Sequence, residues 1–162
     1  MRSSIFKSFI VAAALLCLGA SLACAAGPKP VKAGPKDKCP VCGMFVAKYP
    51  DFACQIQFRD GATAHFDGTK DMFKYYLNLS RYAPGKKATD VSAVLVSNYY
   101  DLAMVDGMKA YYVAGSDVYG PMGRELIPFA NESEAKEFMN DHKGKSILRF
   151  NQVTPALLKS LD

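Results

Sequence analysis

Three cysteines and a methionine lie close together in the segment from Cys39 to Cys54. Cys39 and Cys42 form a Cys-x-x-Cys motif, and Met44 follows Cys42 after a single glycine. Thiols at this spacing occur in structural disulfides, zinc sites and dithiol redox centres, whereas thiols combined with a thioether select soft ions such as Cu(I). The chemistry of this segment is therefore sulfur chemistry, and four kinds of site have to be distinguished.

Zinc and redox chemistry fit the surrounding sequence less well than the other two. A structural zinc site takes four ligands, usually from a second Cys-x-x-Cys motif or a histidine pair. The sequence offers only Cys54, His65 and His142 as further candidates. A thioredoxin-type motif begins a helix after a buried strand, whereas Cys39 follows a proline-rich stretch. A disulfide stays open as an alternative, because exported proteins commonly contain one.

A soft-metal site makes use of the methionine as well as the thiols. If Cys42-Gly43-Met44 is locally extended, side chains two residues apart point the same way, and the thiolate and the thioether converge. Such a donor set selects Cu(I) over Zn(II) or Mg(II) and leaves the ion open to ligand exchange. We therefore expect a site suited to delivering Cu(I) rather than a closed structural site.

The N-terminal residues have the three-part layout of a secretory signal. Two basic residues precede an apolar run over residues 9–18, which is too short for a stable membrane span, and small residues follow. We predict a signal peptide at residues 1–25, or a lipoprotein signal at 1–23 that leaves Cys24 as the lipidated first residue. The protein is expected to be periplasmic or otherwise extracytoplasmic, and membrane-anchored if Cys24 carries a lipid.

The segment that follows the signal consists mainly of proline, glycine and lysine. Residues 26–38 have little to bury, and their composition predicts a flexible linker. The net charge of the whole chain is +5 and falls to about +3 without the signal, which is too small an excess to indicate nucleic-acid binding. The remaining part of the chain, about 136 residues, is long enough for one domain or two small lobes.

The elements that must position the sulfur ligands follow the same order twice. In residues 39–100 the pattern predicts strands at 53–58 and 62–66 around an Asp-Gly turn, a helix at 70–79 and a strand at 91–99. In residues 101–162 it predicts strands at 109–114 and 124–130 separated by a long connection, a helix from Glu132 and a strand at 146–150. We therefore predict an α+β fold of two related ββαβ lobes that meet near Asp101.

Four polar residues near these elements have simpler interpretations. His65, on the second strand, is either a metal ligand or a packed histidine, depending on the register of the hairpin. Asp67 and Asp71 flank a helix start, and the helix dipole accounts for both carboxylates without any chemistry. His142 lies at a helix C-terminus, where a cation is favourable, and we interpret it as structural.

The order of short motifs along the chain resembles that of NosL proteins. The first half contains Cys42-Gly43-Met44, Gln55-Ile56, Asp60-Gly61 and Phe66-Asp67; the second contains Ala110-x-Tyr112-Val113-x-Gly115-Ser116, Gly120-Pro121-Met122-Gly123, Phe129-Ala130 and Ala135-x-x-Phe138. The resemblance covers nearly the whole mature chain. It implies a two-lobed ββαβ fold related in shape to organomercurial lyase, and it favours lipidation of Cys24.

The resemblance also implies which residues bind the metal. Cys42 and Met44 correspond to the primary copper ligands, and Met122 in Gly-Pro-Met-Gly corresponds to a candidate ligand from the second lobe. Cys39 and Cys54 are departures from the family pattern. These two additional thiols either enlarge the copper site or form a disulfide that restrains it.

The implied function is that of a copper-binding accessory lipoprotein rather than an enzyme. By resemblance, the protein delivers Cu(I) to a periplasmic copper enzyme of the nitrous oxide reductase type, or to its assembly machinery, and has no nucleic-acid partner. Two alternatives stay open: an exported structural domain held by a disulfide, and an organomercurial-lyase-like enzyme. The latter would use Cys42, Cys54 and either His65 or Asp67 as thiols and proton donor.

Overall fold

The computed structural model describes residues 28–162, and the predicted signal peptide and Cys24 lie outside this range. The described strands form two antiparallel sheets, of four and three strands. Helices pack against both sheets, so the fold is α+β as predicted. Within residues 28–162 the helices are too short and too polar for any of them to cross a bilayer.

The first sheet has the strand order β2-β1-β3-β4. Its strands are β1 (Cys54–Phe58), β2 (Thr63–Phe66), β3 (Val91–Ser97) and β4 (Met104–Asp106). β1 and β2 form the predicted hairpin, in which Ile56 lies opposite Ala64. β4 follows Asp101 in the sequence but pairs with β3, so the first sheet continues past the predicted junction between the lobes.

The helical segment of the first lobe differs from the single helix predicted at residues 70–79. It consists of α1 (Thr69–Tyr76) and the short α2 (Leu79–Tyr82). The backbone leaves the helical region at Asn78, which has φ −139° and ψ 52°, so the helix cannot continue there. Met72 and Phe73 are fully buried as expected, whereas Leu77, predicted on the same face, is exposed.

The second sheet has the strand order β6-β5-β7. The elements of the second lobe follow the same order along the sequence as those of the first lobe. Its elements are β5 (Tyr111–Gly120), β6 (Gly123–Phe129), α3 (Glu132–Asp141) and β7 (Ser146–Arg149), followed by a C-terminal α4 (Pro155–Ser160). Asn131 caps α3 as its sequence position predicts, because its side-chain oxygen accepts a hydrogen bond from the Glu134 amide. Both lobes thus contain the predicted strand–strand–helix–strand unit.

The predicted long connection between the first two strands of the second lobe is wrong. β5 continues to Gly120, and only Pro121 and Met122 join it to β6. The pairing with β6 is irregular after Ala114 and resumes where Tyr119 lies opposite Arg124. This irregularity interrupts the alternating pattern in the sequence without ending the strand.

The two lobes share one hydrophobic core. Tyr112 and Leu126 of the second sheet are buried in the same cluster as Ile56, Phe66 and Phe73 of the first lobe. The opposite face of the second sheet packs against α3 in a smaller cluster. Since side chains alternate along a strand, the second sheet is covered on one side by α3 and on the other by the first lobe.

The N-terminal strap, which we define as residues 28–33, runs along the first sheet. It belongs to the segment that its composition predicts to be a flexible linker. The Gln55 side chain accepts a hydrogen bond from Val31 N at 2.9 Å and donates one to Val31 O at 3.2 Å. Gln57 Nε2 donates to Lys29 O at 2.8 Å. Two side-chain amides of β1 therefore hold the strap by its backbone.

Candidate metal centre

The loop from Cys39 to Met44 is a closed turn. Cys39 N donates to Met44 O at 2.8 Å, and Gly43 N donates to Cys39 O at 2.9 Å. Gly43 has φ +80°, a left-handed conformation that glycine adopts without a steric penalty. The condition that Cys42-Gly43-Met44 is extended is therefore not met, and the alternation of side chains cannot be used to place Met44 beside Cys42.

The turn brings both thiols of the Cys-x-x-Cys motif onto two carboxylates at the start of α1. One potential ligand atom from each of Cys39, Cys42, Asp67 and Asp71 lies within 4.8 Å of all the others. Cys39 Sγ donates to Asp71 Oδ2 at 3.4 Å, and Cys42 Sγ donates to Asp67 Oδ1 at 3.3 Å. We call these four residues the thiol–carboxylate cluster.

The β2–α1 junction positions the two carboxylates. Asp67 follows β2, Gly68 is the N-cap, and Asp71 lies in the first turn of α1. The helix dipole favours negative charge at this end of α1. Both carboxylates are almost fully buried, Asp67 to 1% and Asp71 to 3% relative exposure. The junction therefore presents two buried carboxylates to the cysteine loop.

The cluster keeps its thiols protonated at neutral pH. Burial, and to a lesser extent the carboxylates nearby, raise the pKa of Cys42 to about 11. Burial raises the pKa of Cys39 even further, and Asp67 adds to that effect. Each thiol is thus a neutral hydrogen-bond donor to a carboxylate. A metal ion that binds the sulfurs must displace these protons.

The donor set is mixed in its chemistry. Two thiols suit Cu(I), and two carboxylates are harder donors. The four residues also match the ligand count of a zinc site, which the sequence alone does not reveal. Cys39, Cys42 and Cys54 are all free thiols. Among the described residues, the structure therefore contains no disulfide of the kind considered as an alternative.

Two residues predicted as metal ligands lie outside the thiol–carboxylate cluster. Cys54 is buried at the start of β1, where its thiol donates to the Phe52 carbonyl at 3.2 Å. His65 lies on β2 with its Nε2 3.9 Å from Asp37 Oδ2. Burial lowers the pKa of His65, and the Asp37 carboxylate opposes this effect. Their roles as ligands stay predictions.

The two methionines predicted as ligands occupy different environments. Met44 is partly buried at the end of the cysteine turn, where its carbonyl accepts the Cys39 amide. Met122 is 45% exposed in the two-residue turn between β5 and β6. Its carbonyl accepts a hydrogen bond from Lys70 Nζ at 2.9 Å, so the turn is held next to α1. Coordination by either sulfur stays a prediction.

Asp67 and Asp71 are the members of the cluster that sequence reasoning did not assign to the site. Their position at a helix start gave a sufficient structural explanation for both charges. The sequence offers no geometric signal for the pair, because Asp67 precedes the N-cap Gly68 and lies outside the helical repeat. Only the packing of the cysteine loop against the start of α1 shows that both carboxylates meet the thiols.

The fold and the site define a small two-sheet α+β protein with a cluster of thiols and carboxylates that is able to bind a metal ion. The NosL family model matches residues 30–158 of this chain. The chain belongs to the NosL family.

Two relatives illustrate the similarity. The chain is 31% identical over 133 residues to the copper-binding lipoprotein NosL of Stutzerimonas stutzeri, covering 81% of this chain and 69% of the relative. The crystal structure of the copper chaperone NosL from Shewanella denitrificans superposes with a TM-score of 0.66 at 23% identity, covering 79% of this chain and 97% of the other. The second similarity confirms the predicted fold. The Stutzerimonas relative is named as a copper-binding lipoprotein and not as an enzyme, in agreement with the non-enzymatic expectation.

Proposed function

We propose that this protein is an exported metallochaperone that binds Cu(I) and delivers it to a periplasmic copper enzyme. The observation that carries this proposal is the convergence of two free thiols, Cys39 and Cys42, in one cluster. Cys42 is only partly buried, so an ion held there is accessible to an acceptor. The name of the Stutzerimonas relative supports copper as the cargo.

The chemistry of the cluster suits an ion that must be released again. Cys39 and Cys42 supply two soft sulfur donors, and Met44 supplies a third from the same turn. Asp67 and Asp71 accept hydrogen bonds from the two thiols while the site is free of metal. Their charge also attracts an incoming cation. Binding therefore exchanges thiol protons for a cation, and protonation assists release.

We propose that the acceptor is a periplasmic copper enzyme of the nitrous oxide reductase type, or its assembly machinery, as the resemblance to NosL proteins implies. Lipidation of Cys24 would tether the protein to the membrane. Transfer of copper from the loaded protein to the isolated copper-free enzyme, followed by metal analysis of both proteins after separation, tests this part.

Anaerobic titration against a Cu(I) chelator tests the binding site itself. We expect a sub-micromolar Kd for the mature protein and a loss of at least about 100-fold in Cys42→Ser combined with Met44→Leu, more than an outer partner contributes. Cys54→Ser is the matched control, since Cys54 lies outside the cluster. Unchanged affinity in the double variant would remove the proposed site, and tighter binding of Zn(II) than of Cu(I) would indicate a zinc protein instead.

A further inference from the structure

A carboxylate of the second lobe caps the helix that carries two residues of the thiol–carboxylate cluster. Glu125 lies on β6 and is buried to 3% relative exposure. Its Oε1 accepts a hydrogen bond from Lys70 N at 2.5 Å. It also accepts one from its neighbour Leu126 N at 2.9 Å. The Thr69 hydroxyl, which has a single proton to donate, lies 2.9 Å from the same oxygen and also contacts the Leu126 carbonyl oxygen. A side chain of one lobe thus satisfies the first turn of α1 in the other.

The backbone around this carboxylate is shaped to admit it. A Cβ at Gly68 would collide with Glu125 Oε2, and a Cβ at Gly120 would lie 3.1 Å from the same oxygen. Gly68 directly follows Asp67 in the sequence. The close approach of Glu125 therefore fixes the backbone next to one carboxylate of the cluster.

Lys70 forms a second connection at the same place. Its side chain is almost fully buried, and Nζ donates to Met122 O at 2.9 Å and to Leu161 O at 3.2 Å. Lys70 Nζ also lies 3.5 Å from the Asp162 carboxylate. Lys70 thus holds the β5–β6 turn and the C-terminal residues through its side chain, while its backbone amide donates a hydrogen bond to Glu125.

The position of these contacts along the chain relates them to the metal site. Asp67 and Asp71 bracket residues 68–70, and Glu125 and Lys70 act on that short segment. A change in the backbone of residues 68–70 would alter the relative positions of the two carboxylates, and with them the contacts to Cys42 and Cys39.

We propose that Glu125 is a positioning residue for the copper site, which holds the start of α1 so that Asp67 and Asp71 face the two thiols. This proposal rests on the proposed function. It makes copper binding in the first lobe dependent on the docking of the second lobe. Glu125 touches neither thiol nor the cargo and acts only through the backbone of residues 68–70.

Glu125→Ala and Glu125→Gln, measured by the anaerobic Cu(I) competition titration, test the role. The glutamine retains the acceptor oxygen and the volume, so we expect affinity within about threefold of wild type. The alanine removes the cap, and we expect affinity to fall by about 10- to 100-fold, as for other outer partners of metal sites. With Co(II) as a spectroscopic probe, the alanine variant should show a changed ligand-field spectrum and the glutamine variant an unchanged one.

A general loss of stability is separated from positioning by a control in the second lobe. Asn131→Ala removes the side-chain cap of α3, whose oxygen accepts Glu134 N at 2.9 Å, and should leave Cu(I) affinity and the Co(II) spectrum unchanged. All titrations use conditions in which near-ultraviolet circular dichroism shows each variant to be folded. If Glu125→Ala does not fold, Gly68→Ala replaces it, since its Cβ would collide with Glu125 Oε2 and displace the carboxylate from the start of α1.

The outcomes distinguish this proposal from the proposed function. Folded Glu125→Ala, or Gly68→Ala in its place, with wild-type affinity and a wild-type Co(II) spectrum would overturn the positioning role alone. Weak Cu(I) binding by the wild-type protein would overturn the proposed function whatever the variants do. Reduced affinity in the alanine variant that the glutamine restores, with Asn131→Ala unaffected, supports the proposal.

Discussion

Cys39 Sγ donates a hydrogen bond to Asp71 Oδ2 at 3.4 Å although 32 residues separate the two in the sequence. The contact joins the cysteine turn to the first turn of α1, and the Cys42–Asp67 contact beside it does the same. Because each thiol faces a buried carboxylate, the site stores exchangeable protons at the atoms that would bind a metal ion. Metal affinity and proton affinity are therefore linked in this protein.

The carboxylates should control the reactivity of the thiols. In Asp67→Asn, loss of the negative charge beside Cys42 removes one of the influences that add to burial in raising its pKa to about 11. We expect the rate of alkylation of Cys42 by iodoacetamide at pH 8 to increase severalfold, since the thiolate is the reacting form. Mass spectrometry of tryptic peptides measures the rate at each cysteine.

Cys54 provides the internal reference for this measurement. It is fully buried and donates to the Phe52 carbonyl rather than to a carboxylate, so its alkylation should stay slow in both proteins. Equal acceleration at Cys42 and Cys54 would show that the substitution loosens the fold and does not act on the cluster.

Cu(I) affinity should increase with pH. The ordinary thiol pKa is raised to about 11 at Cys42, so at neutral pH the ion displaces a proton from each sulfur that it binds. The apparent Kd should then fall by about tenfold per pH unit for each proton released. Competition titrations at about pH 6.5, 7.5 and 8.5, on either side of neutrality and with the chelator's own pH dependence subtracted, give the slope. Cys42→Ser should reduce the slope by one proton, and a pH-independent affinity in the wild type would contradict proton displacement.

Local signals in the sequence predicted the elements well. The Asp-Gly turn gives the β1–β2 hairpin and Asn131 gives the start of α3, because each depends on residues within a few positions. The break at Asn78 and the extension of β5 to Gly120 do not follow from the local pattern, since Asn78 leaves the helical region just before Leu79 enters the shared core, and β5 resumes its pairing with β6 after an irregular stretch.

The candidate site could be predicted only in part. Cys39 and Cys42 are evident from their motif, whereas the carboxylates become part of the site through contacts between segments 25 and 32 residues apart. Glu125 has no distinguishing signal in the sequence, since its burial depends on the docking of the second lobe. Sequence reasoning therefore finds the sulfur chemistry but not the groups that surround it.

Glu125 should make the protein less stable as the pH rises toward neutrality. Burial raises its pKa from 4.5 to about 7, although Lys70 and the backbone donors oppose the shift. The folded state therefore holds a proton that the unfolded chain releases between these values, and its contribution to the unfolding free energy declines as pH rises through this window. The change is of the order of 3 kcal/mol at most.

Urea unfolding of wild type and Glu125→Gln at several pH values between the two pKa values and above them measures this contribution. The difference between the two proteins removes the effect of other titrating groups such as His65. We expect the unfolding free energy of wild type to fall relative to the glutamine variant as pH rises. Parallel curves would show that Glu125 does not titrate in this range.

The N-terminal strap should depend on two glutamines of β1. Gln55 and Gln57 hold the backbone of Val31 and Lys29, and each hydrogen bond contributes about 1 kcal/mol. Replacing both glutamines by alanine should increase tryptic cleavage in the strap by about tenfold, since cleavage requires local release from the sheet. Gln152→Ala, in the second lobe, is the control, and an unchanged cleavage rate in the double variant would show that these amides do not retain the strap.

Leucine substitutions can distinguish the roles of the two methionines that are predicted as copper ligands. Met44 ends the cysteine turn, so Met44→Leu should weaken Cu(I) binding by about tenfold while retaining the volume of the side chain. Met122 is held near α1 through its carbonyl but is exposed, and Met122→Leu should have a measurable effect only if its sulfur reaches the copper. Met108→Leu is the matched control, since Met108 is similarly exposed and follows β4.

X-ray absorption at the copper edge counts the sulfur neighbours of the bound copper directly. The same count in wild type and Met44→Leu would exclude Met44 from the site.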